Sequence, residues 1–194
     1  HKKGYQMTKK LLEIERKRQL TDNIEELIGR LQNISFELKS NLREIDTYYS
    51  RPDVDFMQTV ECLRIRQRDS FAEVTYKPAT TAATHTENNV IIKPETNLPI
   101  QPEDAATAKQ LLANLGMVQL VEVNKYRRSF QSSDFPQATV SIDEIKGAGT
   151  FVEVEVLSDD ETSALIMISE IETKLDLNSM EIVTRPYRDI CMGY

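Results

Sequence analysis

The chain has 194 residues, 40% hydrophobic and 28% charged, which is enough for one well-buried domain and short for two. Its net charge of −7 argues against a general nucleic-acid binder, because neutralising a phosphate backbone needs a basic surface. Cys62 and Cys191 lack metal-binding spacing and fit a reducing cytoplasm. No apolar run approaches the length of a membrane span, and the Lys-containing start lacks the apolar core of a signal peptide.

In chain order, residues 11–20 (LLEIERKRQL) read as a strand. Side chains alternate along a strand, so Glu13, Glu15 and Lys17 share one face and Arg18 belongs to the other, where it is expected as an outer surface residue. Asp22 with Glu25 reads as a capping pair before Ile24, Leu27, Ile28 and Leu31, whose spacing predicts a short amphipathic helix. Residues 36–49 hold one or two strands. Residues 60–68 and 71–77 flank Asp69-Ser70 and predict a hairpin.

Residues 78–102 are rich in Thr, Asn and Pro and carry one apolar patch at 90–92; they read as a loop or flap around a short strand. Pro102 opens a second helix through Ala105, Ala108, Leu111, Leu112 and Leu115, and Gly116 stops it. Residues 117–130 are strand-like. ATVSIDEI, the turn KGAG and TFVEVEV predict another hairpin. A capping box over 158–161 starts a third helix bearing Leu165, Ile168, Ile171 and Leu175, and a last extended piece ends at Cys191. The expected class is α+β: antiparallel strands with a few helices packed outside, as a single domain over 1–194.

The strands carry charge on one side. Val152, Val154 and Val156 oppose Glu153 and Glu155; Leu63 and Ile65 oppose Arg64 and Arg66; Lys125 and Arg127 share a face; Lys77 ends the FAEVTYK strand; and Asp143 sits inside ATVSIDEI. One wet face is ordinary for an antiparallel sheet. Here, though, strand after strand is dominated by one sign, carboxylates in two of them and Arg or Lys in three, and segregated charge repels itself unless an opposite ligand fills the space. Carboxylates suit hard divalent cations, and Arg and Lys suit phosphate oxygens. A metal–polyphosphate complex needs both. Three classes therefore stand: an enzyme acting on such a complex, a module that only binds it, and a plain acidic surface sheet.

EIERK, IDTYYS, LRIR, TYK, a helix ending in Leu115-Gly116, KYRR, SIDEIKGAGTFVEVEV and a closing PYRD succeed one another from Glu13 to Asp189. In kind and order they resemble the CYTH superfamily, the triphosphate tunnel metalloenzymes, and most nearly its class IV adenylyl cyclase-like branch. The resemblance implies an antiparallel eight-stranded β-barrel, a tunnel, with helices outside. It implies Glu13, Glu15, Glu153 and Glu155 as ligands of Mg²⁺ or Mn²⁺, and Lys17, Arg64, Arg66, Lys77, Lys125 and Arg127 as binders of the triphosphate. Lys17, Tyr48 and Asp143 would take catalytic roles.

The implied substrate is ATP, tripolyphosphate or thiamine triphosphate, and the implied reaction is cyclisation (a lyase) or triphosphate hydrolysis. Neither nucleic acid nor membrane is implied as a partner, and a homodimer stays open. One element departs from the family. Where its members often have Arg-x-Glu-x-Glu, this chain has His85-Thr86-Glu87-Asn88-Asn89, so Glu87 is the nearest acidic candidate and His85 is read as an exposed loop residue.

Overall fold

Eight strands form one sheet in the computed structural model, which describes residues 12–79 and 95–194. They are β1 (Leu12–Gln19), β2 (Glu37–Ser50), β3 (Cys62–Arg68), β4 (Phe71–Lys77), β5 (Thr96–Ile100), β6 (Val118–Gln131), β7 (Ala138–Ile145) and β8 (Gly149–Ser158). The sheet order is β1-β8-β7-β6-β2-β3-β4-β5. The helices are α1 (Ile24–Asn33), α2 (Phe56–Thr59), α3 (Ala105–Asn114), α4 (Glu161–Lys174) and α5 (Tyr187–Cys191). The expected α+β class, antiparallel strands with helices outside, is the one found. His85, Glu87 and the 90–92 patch lie outside the described residues.

The chain divides into two compact units. Of the described residues, the first holds 12–40, 128–142 and 151–184; the second holds 41–79, 95–127, 143–150 and 185–194.

In the first unit, β1 pairs antiparallel with β8, matching Ile14 to Val156, Arg16 to Val154 and Arg18 to Val152. Directly paired residues share a face, so the valines of TFVEVEV lie beside Ile14. They are buried with Leu27 and Leu31 of α1 and with Ala164, Ile168 and Ile171 of α4. The valine side thus faces helices, as its alternation implies.

The second unit has a smaller core. Tyr49, Ile65, Ala72 and Ala105 are buried there, with Ala108 and Leu112 of α3 packed against them. Leu111 and Leu115, expected on the same apolar stripe, are exposed instead. A ten-residue helix seated by two small alanines and Leu112 has only a narrow buried face. Gly116 ends it at φ 83°, a left-handed conformation that favours glycine.

Local chemistry shifts several boundaries. The 36–49 stretch holds one strand, β2, rather than two. Asn23, not Asp22, caps α1 by accepting from the Glu25 N–H, while Asp22 pairs with Arg30. Asp160, not Ser158, caps α4, accepting from the Thr162 N–H; Ser158 Oγ takes the Asp160 N–H one step earlier. The tail expected to be extended through Cys191 instead forms α5 from Tyr187, directly after Pro186. Proline fixes the backbone just before the first helical turn there.

Arg18 is the main correction. It lies on the face opposite Glu13 and Glu15, as alternation requires, yet it is buried rather than exposed. Its Nε and Nη2 donate to the two oxygens of Glu172 at 2.8 and 3.0 Å, and Nη1 donates to the Met180 carbonyl at 2.6 Å. Arg16 adds a further bond to Glu172 at 2.8 Å. Removing one partner of a buried pair strands the other's charge. Glu172→Ala is therefore expected to lower the unfolding free energy by roughly 3–5 kcal/mol in a denaturant titration, and a loss under about 1 kcal/mol would show that the pair does not hold α4 to β1.

Candidate active site

The first unit gathers the carboxylates. Glu13 and Glu15 project from the face of β1 away from Ile14, and β8 places Glu155 directly opposite Glu15. One carboxylate oxygen from each of Glu13, Glu15 and Glu155 lies within 4.8 Å of the others. Glu153, buried, stands one pair further along the same face, opposite Lys17 in the ladder. Burial, a hydrogen bond with Glu13 and the charges of Glu13, Glu153 and Glu15 push the Glu155 carboxyl up to about 8. Three oxygens this close, repelling one another strongly enough to retain a proton, are a donor set that fits a hard divalent cation.

The second unit gathers the bases, each against a carboxylate. In the β2–β3 ladder Asp46 faces Arg66 and Tyr48 faces Arg64. Arg66 donates through Nε and Nη2 to the two Asp46 oxygens at 2.8 and 2.7 Å. Arg127 holds Asp143 in the same way, at 2.7 and 2.6 Å, and the Tyr187 hydroxyl donates to Asp143 Oδ2 at 2.7 Å. The Tyr187 ring lies 5.7 Å from the Lys125 ammonium. Lys77 is paired with Glu95.

Arg64 differs. Its nearest charge partner is Asp46 Oδ2, 3.9 Å from Nη1, and its buried Nε has no hydrogen-bond partner among the described residues. Tyr48 donates a long bond to Asp46 at 3.5 Å, and burial together with the Asp46 charge pushes its phenol well above the ordinary value. The Tyr48 hydroxyl therefore keeps its proton at neutral pH and serves as a hydrogen-bond donor.

Glu44, Asp46 and Tyr187 contact the predicted site residues, and the sequence pattern alone does not single them out. Glu44 is 1% exposed and pairs with Lys125 at 2.7 Å, Arg66 at 3.0 Å and Arg68 at 2.6 Å. A signal exists in REIDTY, where Glu44, Asp46 and Tyr48 alternate as Glu13, Glu15 and Lys17 do. With β2 included, the second unit does not carry charge of a single sign.

A sheet of eight antiparallel strands with helices outside, bearing one carboxylate cluster and a set of carboxylate-braced bases, defines a protein of the triphosphate-tunnel class. The chain belongs to the CYTH domain family, whose model matches residues 11–187. It is 26% identical over 183 residues to the Methanocaldococcus jannaschii protein named "Putative adenylate cyclase MJ0240", covering 93% of this chain and 98% of that one. Over 93 residues, 45% of this chain and 46% of the relative, it is 32% identical to adenylate cyclase CyaB of Aeromonas hydrophila. Among solved structures, the PH1012 protein of Pyrococcus horikoshii superposes with a TM-score of 0.72 at 20% identity, over 92% of this chain and 99% of that one. The PH1819 protein of the same organism gives 0.68 at 26% identity, over 91% and 96%.

The bases set an acid limit on stability. Burial pushes the Glu44 carboxyl up, but Lys125, Arg66 and Arg68 outweigh it and hold the group at about 2, against an ordinary 4.5. A folded value below the unfolded one stabilises the fold above pH 4.5, and that stability is lost as pH falls from 4.5 towards 2. Denaturant titrations at stepped pH should show Glu44→Gln lacking roughly 3 kcal/mol of this decline. Parallel acid curves for wild type and variant would contradict the assignment.

Proposed function

We propose that this chain is a divalent-metal-dependent enzyme acting on a triphosphate, with the class IV adenylyl cyclase reaction, ATP to cyclic AMP and pyrophosphate, as its activity. The observation that carries the metal-dependent triphosphate reading is the convergence of Glu13, Glu15 and Glu155 within 4.8 Å. The choice of cyclisation is supported by the cyclase name of a relative aligned over 93% of the chain. A reducing cytoplasm suits the two free, half-buried thiols Cys62 and Cys191.

Glu13, Glu15 and Glu155 would hold Mg²⁺ or Mn²⁺, with Glu153 adjoining. When bound, such an ion supplies Lewis acidity and charge neutralisation at phosphate oxygens. The chain's own residues then bind and orient. Lys17, Arg64, Arg66, Lys77, Lys125 and Arg127 take the triphosphate, stabilising the charge that grows on the leaving oxygens. In cyclisation the ribose 3′-hydroxyl gives up its proton to water, its oxygen bonds to the α-phosphorus, the bond to the bridging oxygen breaks, and pyrophosphate departs with that electron pair. Tyr48, kept protonated, donates to an oxygen. Asp143, engaged by Arg127 and Tyr187, orients Arg127 rather than taking a proton.

Incubation with ATP, tripolyphosphate and thiamine triphosphate, each with Mg²⁺ or Mn²⁺, tests the reading. Cyclic AMP with pyrophosphate is the expected product; orthophosphate would make the chain a triphosphatase, and no turnover of any of them would end the enzyme assignment. Glu155→Gln should raise the melting temperature of metal-free protein, because an amide needs no proton uptake to sit beside Glu13 and Glu15. It should also raise the metal concentration for half-activation by more than about tenfold, since a neutral amide is a poorer ligand for a hard cation. Wild-type metal dependence in that variant would exclude Glu155 as a ligand.

The arginines should separate. Arg66 already commits two donors to Asp46, whereas Arg64 reaches that carboxylate only at 3.9 Å and its Nε has no hydrogen-bond partner among the described residues. Arg64→Lys is expected to lower kcat/KM by roughly ten- to a hundredfold through loss of bidentate phosphate contact, mostly in KM. Arg66→Lys should lose stability as well, because it breaks the clamp on Asp46. Equal kinetic and stability effects at both positions would contradict this division.

A further inference from the structure

Glu44 sits among cations that the phosphate-binding reading assigns to substrate, and any role for it at the site rests on that reading. Its two oxygens are used differently. Oε2 accepts a directed hydrogen bond from Arg68 Nε at 2.6 Å, and the Arg68 guanidinium is itself seated over the Phe71 ring, 5.3 Å from its centroid. Oε1 lies 2.7 Å from Lys125 Nζ and 3.0 Å from Arg66 Nη2, yet it takes no aligned hydrogen bond among the described residues. One oxygen is anchored. The other contacts Lys125 and Arg66, the two cations that the phosphate-binding reading assigns to substrate.

We infer that Glu44 is a built-in counter-ion, a positioning residue that holds Lys125 and Arg66 in place and competes with the triphosphate for them. Three observations support this. The carboxylate is buried at 1% exposure, where an anion persists only among cations. Arg68 aims it, so that Oε1 points at Lys125 and Arg66 rather than rotating away. An ammonium can also turn from carboxylate to phosphate without crossing a bond of fixed direction, since its charge is a point with three rotatable donors. The carboxylate keeps the cations ordered before substrate arrives and limits how tightly they grip it, which favours release of the anionic product.

Titration calorimetry with tripolyphosphate, alongside steady-state turnover, tests this on the full chain. Glu44→Gln should bind tripolyphosphate tighter by about three- to thirtyfold, because a competing charge at contact distance has been removed, while kcat falls. Arg68→Gln should act in the opposite direction on affinity, weakening it, since Glu44 then draws harder on its two remaining partners. Glu122→Gln, a carboxylate in the same unit whose ion pair is with Lys109, controls for net charge and should change neither quantity. Damage to structure alone would weaken binding in both variants.

If wild-type protein fails to bind tripolyphosphate, the phosphate-binding reading itself falls. If wild type binds and Glu44→Gln binds equally or more weakly, the counter-ion role is overturned and the phosphate site stands. Should Glu44→Gln not fold, Glu44→Asp, which keeps the charge but draws it back from Lys125 and Arg66, decides: tighter binding than wild type supports the role, and equal or weaker binding refutes it.

Discussion

Charge removed from water must meet its opposite, and this constraint orders most of the molecule's polar architecture. On the helix-facing side of β1, Arg18 could not be buried without Glu172, which arrives from α4 to meet both Arg16 and Arg18. In the second unit Asp46 braces Arg66, Asp143 braces Arg127, and Glu44 serves Lys125, Arg66 and Arg68. Such pairs add little net stability compared with apolar packing. Their effect is positional: the guanidinium groups are fixed before any anion arrives, so no reorganisation is required when one does. In the carboxylate cluster the balance runs the other way, and Glu155 records it by holding its proton to about 8.

Core and candidate site are opposite faces of the same strands. Ile14 and the three valines of β8 bury against α1 and α4, while Glu13, Glu15 and Glu155 turn the other way. A register slip of one residue would drive carboxylates among Leu27, Ile168 and Ile171 and expose the valines. The hydrophobic pattern therefore fixes which charges meet. Glu15 faces Glu155 because Ile14 faces Val156, and no charge–charge attraction chooses that pairing.

Alternation makes much of this legible in the sequence. The period of two in EIERK, LRIR and FVEVEV assigns each side chain to a face, and motif order carries the resemblance to the family. What alternation does not contain is the element that covers a face. Arg18 reads as a surface residue because Glu172 lies 154 positions away on a helix whose docking no local pattern announces. Glu44 and Asp46 are hard to single out because β2 begins as an exposed strand and only its second half is buried, so their alternation starts midway through the element. The caps move by one or two positions where neighbouring Asx and Ser residues compete for the same N–H groups, as with Asp22 and Asn23 or Ser158 and Asp160.

The same constraint explains why arginine occupies positions 64, 66 and 127 while lysine occupies 125. A guanidinium carries five donors in a rigid plane, so one edge can grip a carboxylate while donors on the other side still point at a second anion. Arg66 and Arg127 each lay the Nε–Nη2 edge on an aspartate, an arrangement no ammonium could hold in a fixed direction. Lys125 instead meets a carboxylate and an aromatic face through one nitrogen that has three rotatable donors. The proposed phosphoryl transfer would use both kinds of group: fixed forks that set the line of attack, and a point charge able to follow negative charge as it moves towards the leaving group.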